Sequence, residues 1–543
     1  MEPPPLSATA GPMPGTLERP IAGPKKRLIV TCDGTWLNSD NGITKGQLTP
    51  PSNVSRIGWA MKDTSRDGIP QVVHYQAGVG SLGGPISRTI GGATGMGLKE
   101  NVREAYSYLA INWREGDEIF LIGFSRGAFT ARSVGGLIGE VGLLTRAGLP
   151  YFSEIFEDIE HKHDDSYHSN FPNSPFPEKP RFGAQYVQEL ERREMTRTRV
   201  NIKAIGVWDT VGALGIPRIP IFEALHLQSK GMHDYSFYDT RLSPCVEHAF
   251  QALALDEHRA PFQPALWEKG PDNERTNLKQ VWFPGVHSNV GGGYDDQDLA
   301  NITLAWMMSR LENFIDFRPD FILSCYNDNK QYYKTTGQRT RWWSFGEMYN
   351  SVTGVYFLAG TKVRTPGNYY RTDPYNGRPT TKHLKNTNEY IHASVRSRLG
   401  LGGPGSQDKG VYEPRALRDW TYGIEGPANG SAEKEPMYVW TDRSDRNSGQ
   451  KQIPEAVLLD TERRLLGMSP KVEDFVLNGP APEVRRKRRS RPDGGEGGDR
   501  RSRADANGGD RRSQADADGG MHRRVTSDPS RKREKRRSRR AED

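Results

Sequence analysis

The chain has 543 residues, 34% of them hydrophobic and 26% charged, with three cysteines and a formal net charge of +8. That length can bury a large core, and the odd, widely separated Cys32, Cys245 and Cys325 exclude both a small disulfide scaffold and a Cys/His zinc motif. The charge is unevenly placed: residues 481–543 carry 21 Lys and Arg against 12 Asp and Glu, leaving 54 against 55 in residues 1–480, so any attraction to polyanions belongs to the tail.

Residues 1–26 are rich in Pro, Gly and Ala and read as a flexible leader. From Arg27, the apolar run Leu28–Cys32 stops at Asp33-Gly34, as a central strand does when it delivers a loop to a sheet edge. QVVHYQ from Gln71 predicts a second strand. It precedes a glycine-rich loop at 80–97 without a GK[ST] ending, which excludes a P-loop. A helix is expected around Leu98–Trp113, a strand at 118–123, and a helix with small inward residues behind it. RFGAQYVQELERREM reads as a helix and residues 200–209 as a strand. Residues 151–180 read as an excursion over the sheet edge, and 216–279, with EHAFQALALDEHRAPF, as a largely helical segment; either would serve as a lid or substrate rim. LKQVWF from Leu278 is a strand, and NITLAWMMSRLENF an amphipathic helix. Strands alternating with helices give an α/β class with a mostly parallel sheet, helical insertions and, beyond residue 480, a disordered basic tail.

The chemistry concentrates at strand ends. Gly123-Phe124-Ser125-Arg126-Gly127 is a G-x-S-x-G segment entered by a strand and left by a helix, the context of a nucleophile elbow, and makes Ser125 the expected nucleophile. A serine needs a base and an acid to orient that base. His287, just beyond the strand at 278–283, is the expected base. Asp209, at a strand end between the two in sequence, is the expected acid, with Asp256 as the alternative. The oxyanion hole would use the Arg126 amide and an amide of the first loop, Gly34 or Thr35, with Asp33 accepting N–H bonds to orient that loop. Each has a plain structural reading as well: Ser125 or Asp209 as a helix cap, His287 as a locally bonded loop residue. Trp342, Trp343 and Phe345 would line an acyl site or pack a second lobe. CDGT is also found in aspartyl phosphatases, but their nucleophile position is Thr31 here.

Taken together, LIVTCDGTW, PSNVSRI, AGVGS, GFSRGAFTARSVGGLI, VWDTVGALG and VWFPGVHSNVGGGY resemble the DUF2235 family, whose bacterial relatives include the Tle1-type phospholipase effectors of type VI secretion. The resemblance covers about Arg27 to Leu399. It implies an α/β-hydrolase-like domain with a Ser-Asp-His triad carried by Ser125, Asp209 and His287, and phospholipase A activity in the effector branch. Asn289 departs from the aspartate of the relatives' GVHSDVGGG segment, which touches a loop contact or weak cation site rather than the histidine.

The expected organisation is a leader at 1–26, a catalytic domain at 27–399, a packing extension at 400–480 and the tail at 481–543. The expected function is a serine-dependent carboxylic ester hydrolase of the phospholipase type, needing no cofactor or metal, with an ester or lipid substrate; the rival is a noncatalytic binding or regulatory protein on the same fold. The tail clusters at 484–492 and 531–540 suit a nuclear-import receptor, weak polyanion contact or simple solvation. Without a transmembrane segment, the expected location is intracellular, cytoplasmic or nuclear.

Overall fold

The computed structural model describes residues 25–34, 43–44, 47–48, 50–78, 96–211, 241–352, 360–373, 379–427, 436–445 and 449–479. The leader up to residue 24, Thr35, the loop at 79–95 and the basic tail therefore lie outside the described residues.

The frame is a seven-stranded sheet. Its strands are β1 (Arg27–Cys32), β2 (Gln71–Gln76), β3 (Glu118–Phe124), β4 (Ile202–Trp208), β5 (Val246–Ala254), β6 (Asn277–Phe283) and β7 (Glu389–Ile391). They lie in the order β7-β6-β5-β4-β3-β1-β2, and every neighbouring pair is parallel. A parallel sheet hides both faces, so its strands read as apolar runs and their side chains alternate between two cores. Leu28, Val30 and Cys32 of β1 and Ile119 and Leu121 of β3 face one helix layer. That layer comprises α2 (Met96–Asn112), α3 (Arg126–Val141), α4 (Phe152–Glu160) and α5 (Ala184–Arg192). Ile29, Phe120, Ile122 and Phe124 face the other. The second layer holds α1 (Asn53–Ala60), α7 (Asp298–Leu311), α8 (Phe321–Thr335), α10 (Asp460–Leu466) and α11 (Pro470–Asn478).

The strand order positions the site. After β1 the chain moves outward to β2, then returns across β1 to place β3 on its other side, and proceeds from there to β7. The carboxyl ends of β1 and β3 thus flank the point where the winding reverses, where crossovers diverge to opposite faces and leave a crevice. Asp33 and Ser125 are the first residues beyond those two strands.

Two sequence expectations change. The segment EHAFQALAL is the central strand β5, not helix, because its Ala, Leu and Gln side chains are enclosed between β4 and β6 and tertiary pairing overrides their helix propensity. Among the described residues of 241–279, the helical content is the single turn Ala260–Phe262. Helix α7 is buried on all sides except at Arg310, because it is sandwiched between the sheet and the outer helices, so it has no solvent face to mark as amphipathic. Helix α4 belongs to the first helix layer, and the segment around it follows the far end of α3. The C-terminal end of α4 meets the start of α2, where Lys99 Nζ lies 2.9 Å from Glu160.

Beyond β7, α9 (Ala393–Gly400) leads to the antiparallel sheet β8 (Trp420–Pro427), β9 (Pro436–Asp442) and β10 (Gln452–Pro454). This sheet adds Trp440 and Ile453 to a third core with Leu253, Trp282 and Ile391. It is attached to β7 through the Ile391–Glu455 bridge. No helix among the described residues is long and apolar enough to cross a membrane.

Candidate active site

Strand β3 ends at Phe124, and the chain reverses into α3 through Ser125, whose φ of 58° and ψ of −120° lie where few non-glycine residues go. The turn is held by the Ser125 N–H, which donates to the Trp208 carbonyl at 3.1 Å. Its two glycines are needed for space: a Cβ on Gly123 would overlap the Gly127 carbonyl, and one on Gly127 would overlap the carbonyl oxygens of Cys32 and Asp33. The backbone of α3 can therefore press against the end of β1, and Ser125 projects from the crevice.

Asp209 follows β4 with a φ of 40°, a second strained position at the same edge. His287 opens the short helix α6 (His287–Gly291) four residues after β6. The Ser125 Oγ and His287 Nε2 lie 2.8 Å apart, and His287 Nδ1 lies 2.6 Å from Asp209 Oδ2. With a carboxylate on Nδ1, that nitrogen bears the proton and donates it, which leaves Nε2 to accept from the Ser125 hydroxyl. Phe124 and Phe262 pack on the imidazole, with ring centroids 4.7 and 5.0 Å away.

Two Arg–carboxylate pairs bracket this histidine, and neither was anticipated from sequence. Arg364, fully buried, donates to Asp209 Oδ1 at 2.5 Å and to Oδ2 at 2.9 Å. On the other side, Glu257 accepts the His287 backbone N–H at 3.2 Å and a two-pronged contact from Arg259 at 2.9 Å per bond. Burial alone would raise the Asp209 pKa, yet the Arg364 charge and the His287 hydrogen bond hold it well below the usual carboxylate range. Glu257 is likewise held down to about 2 by Arg259 against the effect of burial. His287 is shifted below the ordinary imidazole value, mainly by burial, with the pull of Asp209 opposing it. The resting imidazole is neutral at neutral pH, the form that can take a proton.

The alternative acid, Asp256, sits elsewhere: its Oδ2 accepts the Gly285 N–H at 2.8 Å and the Tyr412 hydroxyl at 2.9 Å. Burial lifts its pKa to about 6. Asp33 accepts from the Gly34 N–H (2.7 Å), Ser52 (2.7 Å), Ser55 (3.0 Å) and Tyr75 (2.8 Å), so it organises its own loop. The Gly34 amide, one of the two expected second oxyanion donors, is thereby turned onto Asp33. Thr35 lies outside the described residues. Arg126 is the first residue of α3, and its N–H belongs to the turn whose amides point out along the axis.

Asn289 accepts the Val286 N–H through Oδ1 (3.2 Å) and donates through Nδ2 to the Glu347 carbonyl (2.9 Å). An aspartate there would set two acceptors against each other, so the amide suits this chain. Trp343 is buried in the second core beside His392, whereas the exposed Trp342 packs edge-on against Phe345. Among the described residues, no three His, Cys, Asp or Glu side chains gather as metal ligands.

Residues 26–310 match the family model described as "T6SS, Phospholipase effector Tle1-like, catalytic domain". The chain belongs to this Tle1-like family. The family is one of lipid-hydrolase-like catalytic domains, and Ser125, Asp209 and His287 all lie within the matched residues. Among curated proteins, the uncharacterized protein YEL023C of Saccharomyces cerevisiae is 27% identical over 210 residues, 36% of this chain and 27% of that protein. Among solved structures, an uncharacterized protein from Pseudomonas aeruginosa aligns with a TM-score of 0.33 at 17% identity, over 60% of this chain and 52% of its own. The chain thus spans about a quarter of the yeast relative and half of the bacterial one. Arg364, Ser351 and Tyr412 fall beyond the residues that the Tle1-like family model covers.

Proposed function

We propose that the protein is a serine-dependent carboxylic ester hydrolase of the phospholipase A type. The observation that carries this reading is the hydrogen-bonded chain from Ser125 through His287 to Asp209, at 2.8 and 2.6 Å. The lipid side of it rests on the family, whose matched model is that of a phospholipase effector.

In this mechanism His287 Nε2 takes the Ser125 proton as Oγ attacks the ester carbonyl, and Asp209 stabilises the imidazolium so formed. The Arg126 N–H donates to the oxyanion, and Thr35 is the remaining candidate for the second donor. The imidazolium then protonates the leaving alcohol. Water, deprotonated by His287, attacks the acyl-serine; the acyl–Oγ bond breaks, Ser125 Oγ takes the proton back from the imidazolium, and the carboxylic acid leaves.

The test is hydrolysis of soluble esters of graded chain length and of phospholipid vesicles, with a fluorophosphonate probe reporting covalent labelling. Ser125→Ala is expected to abolish both labelling and hydrolysis, and His287→Ala to lower hydrolysis by about six orders of magnitude. Full activity in either folded variant removes that residue from the mechanism. Loss of all labelling in the unmodified protein favours a noncatalytic binding role on the same fold.

A further inference from the structure

The three carboxylates at the ends of β4 and β5 are each held by a side chain from downstream of the family-matched region. Arg364 grips Asp209, Tyr412 donates to Asp256 at 2.9 Å, and Ser351 donates to Glu257 at 2.9 Å. Arg364 is the most deeply placed, and all four of its terminal N–H groups are used. Nη1 reaches Asp209 Oδ1 and the Ala254 carbonyl, both at 2.5 Å; Nη2 reaches Asp209 Oδ2 at 2.9 Å and the Phe262 carbonyl at 2.6 Å.

We propose that Arg364 is a positioning residue of the Ser125–His287–Asp209 chain, which fixes the plane of the Asp209 carboxylate and cancels its charge beside His287. The proposal rests on the ester-hydrolase reading above for its kinetic consequences but not for its geometry.

A planar guanidinium that spans both carboxylate oxygens and is itself anchored on two carbonyls allows one orientation of the carboxylate, with Oδ2 aimed at His287 Nδ1. The Ala254 N–H, 2.9 Å from Oδ1, fixes the same plane from the strand side. A lysine would place a point charge there and leave the carboxylate plane to the Ala254 N–H and His287 alone.

The imidazole meets Asp209 from the end of β4 and Ser125 from β3, with Arg364 of the 360–373 segment behind Asp209; Glu257, paired with Arg259 in the segment after β5, holds the His287 backbone N–H. Two carboxylates are thus matched by two guanidiniums, and an uncharged imidazole is the balanced state. Without Arg364, one negative charge is left in excess at a buried site, and imidazolium becomes the favoured form.

Arg364→Gln and Arg364→Lys separate the two effects. With Arg364→Gln, the acid limb of kcat/KM for a soluble ester is expected to move up by about one pH unit or more, since the base must then be freed of its proton at higher pH. NMR titration of the 13C-labelled His287 ring should show the same upward movement without any dependence on turnover. With Arg364→Lys, the limb stays near its original position, while kcat falls about 10- to 100-fold and KM changes little, as for other residues that orient a catalytic group. A folded Arg364→Gln protein with an unmoved limb and an unmoved His287 titration overturns the charge claim. Undiminished kcat in Arg364→Lys overturns the positioning claim and does so even if the glutamine variant does not fold. If the unmodified protein neither hydrolyses esters nor labels at Ser125, the hydrolase reading fails, and the His287 titration still decides the role of Arg364.

Discussion

Replacing Asp209 by asparagine keeps the shape of the side chain and removes a charge on which two neighbours depend. The carboxylate lies 2.5 and 2.9 Å from the two Arg364 nitrogens and 2.6 Å from His287 Nδ1, and neither it nor Arg364 touches solvent. Two unit charges about 4 Å apart at an effective dielectric of about 20 attract by about 4 kcal/mol. Stranding the partner of a buried pair costs about 3 to 5 kcal/mol in measured cases, the same range. The asparagine can also offer its NH2 to Nδ1, which would leave the imidazole proton on Nε2 and point a donor at Ser125. A loss of about 10⁴-fold in kcat is the expected size of a wrong tautomer. Urea unfolding at neutral pH and ester hydrolysis on the same preparation measure the two consequences separately. A folded Asp209→Asn protein that hydrolyses ester within tenfold of the original, or loses less than about 1 kcal/mol of stability, would refute the argument.

Asp256→Asn should leave hydrolysis within about tenfold, since this carboxylate serves Gly285 and Tyr412 rather than the histidine. Its pKa, lifted to about 6 from 3.8, means that ionisation is resisted in the folded state, so its contribution to stability falls as pH rises from about 4 through 6 and stays low above that. The variant should match the original at pH 4 and exceed it by up to about 3 kcal/mol at pH 7; equal urea midpoints at both pH values would count against this. Gly127→Ala, which drives a methyl into the backbone of β1, should destabilise by about 1 to 3 kcal/mol or more, whereas Gly136→Ala on the same helix, with open space around it, should stabilise by up to about 1 kcal/mol. Thermal melts of the pair decide whether the close approach at Gly127 or helix propensity governs α3. Removal of residues 481–543 should spare ester hydrolysis and abolish salt-sensitive binding to heparin, which a heparin column run across a salt gradient would show.

The parts of the site legible in the sequence were those written in local chemistry. Ser125 was marked by its flanking glycines and the strand before it, and Asp209 and His287 by strand ends in the right chain order; one hydrogen-bonded chain joins the same three residues. Arg364 carried no such mark. It stands in the short segment GTKVRTPG, where one arginine looks like any surface cation, and only the fold reveals that it reaches 155 residues back in the chain. Glu257 was hidden for a related reason: the helix-prone letters before it disguised β5, so DEH did not read as a strand end. Position after the first strand points to the Gly34 amide as an oxyanion donor, while the neighbouring Asp33 side chain competes for it at 2.7 Å. Helix α7 was legible as a helix but not as a central one, because burial on all sides depends on what is packed around it.

The route of the chain across its sheet also has a bearing on how it reaches the native state. All seven strands are parallel, so each pairing waits on a crossover, and the contacts that join Ser125 to His287 and Asp209 to Arg364 close loops of 162 and 155 residues. Closing such loops costs entropy before any contact offsets it, which makes this topology slow to form and exposes apolar strands in the meantime. The two helix layers can collapse on nearby strands early, but the site at the β1–β3 reversal is complete only after β4, β5 and β6 have been added and the downstream segment has been laid against them. On refolding, recovery of secondary structure should therefore precede recovery of a reactive Ser125, with the arrival of Arg364 among the last events.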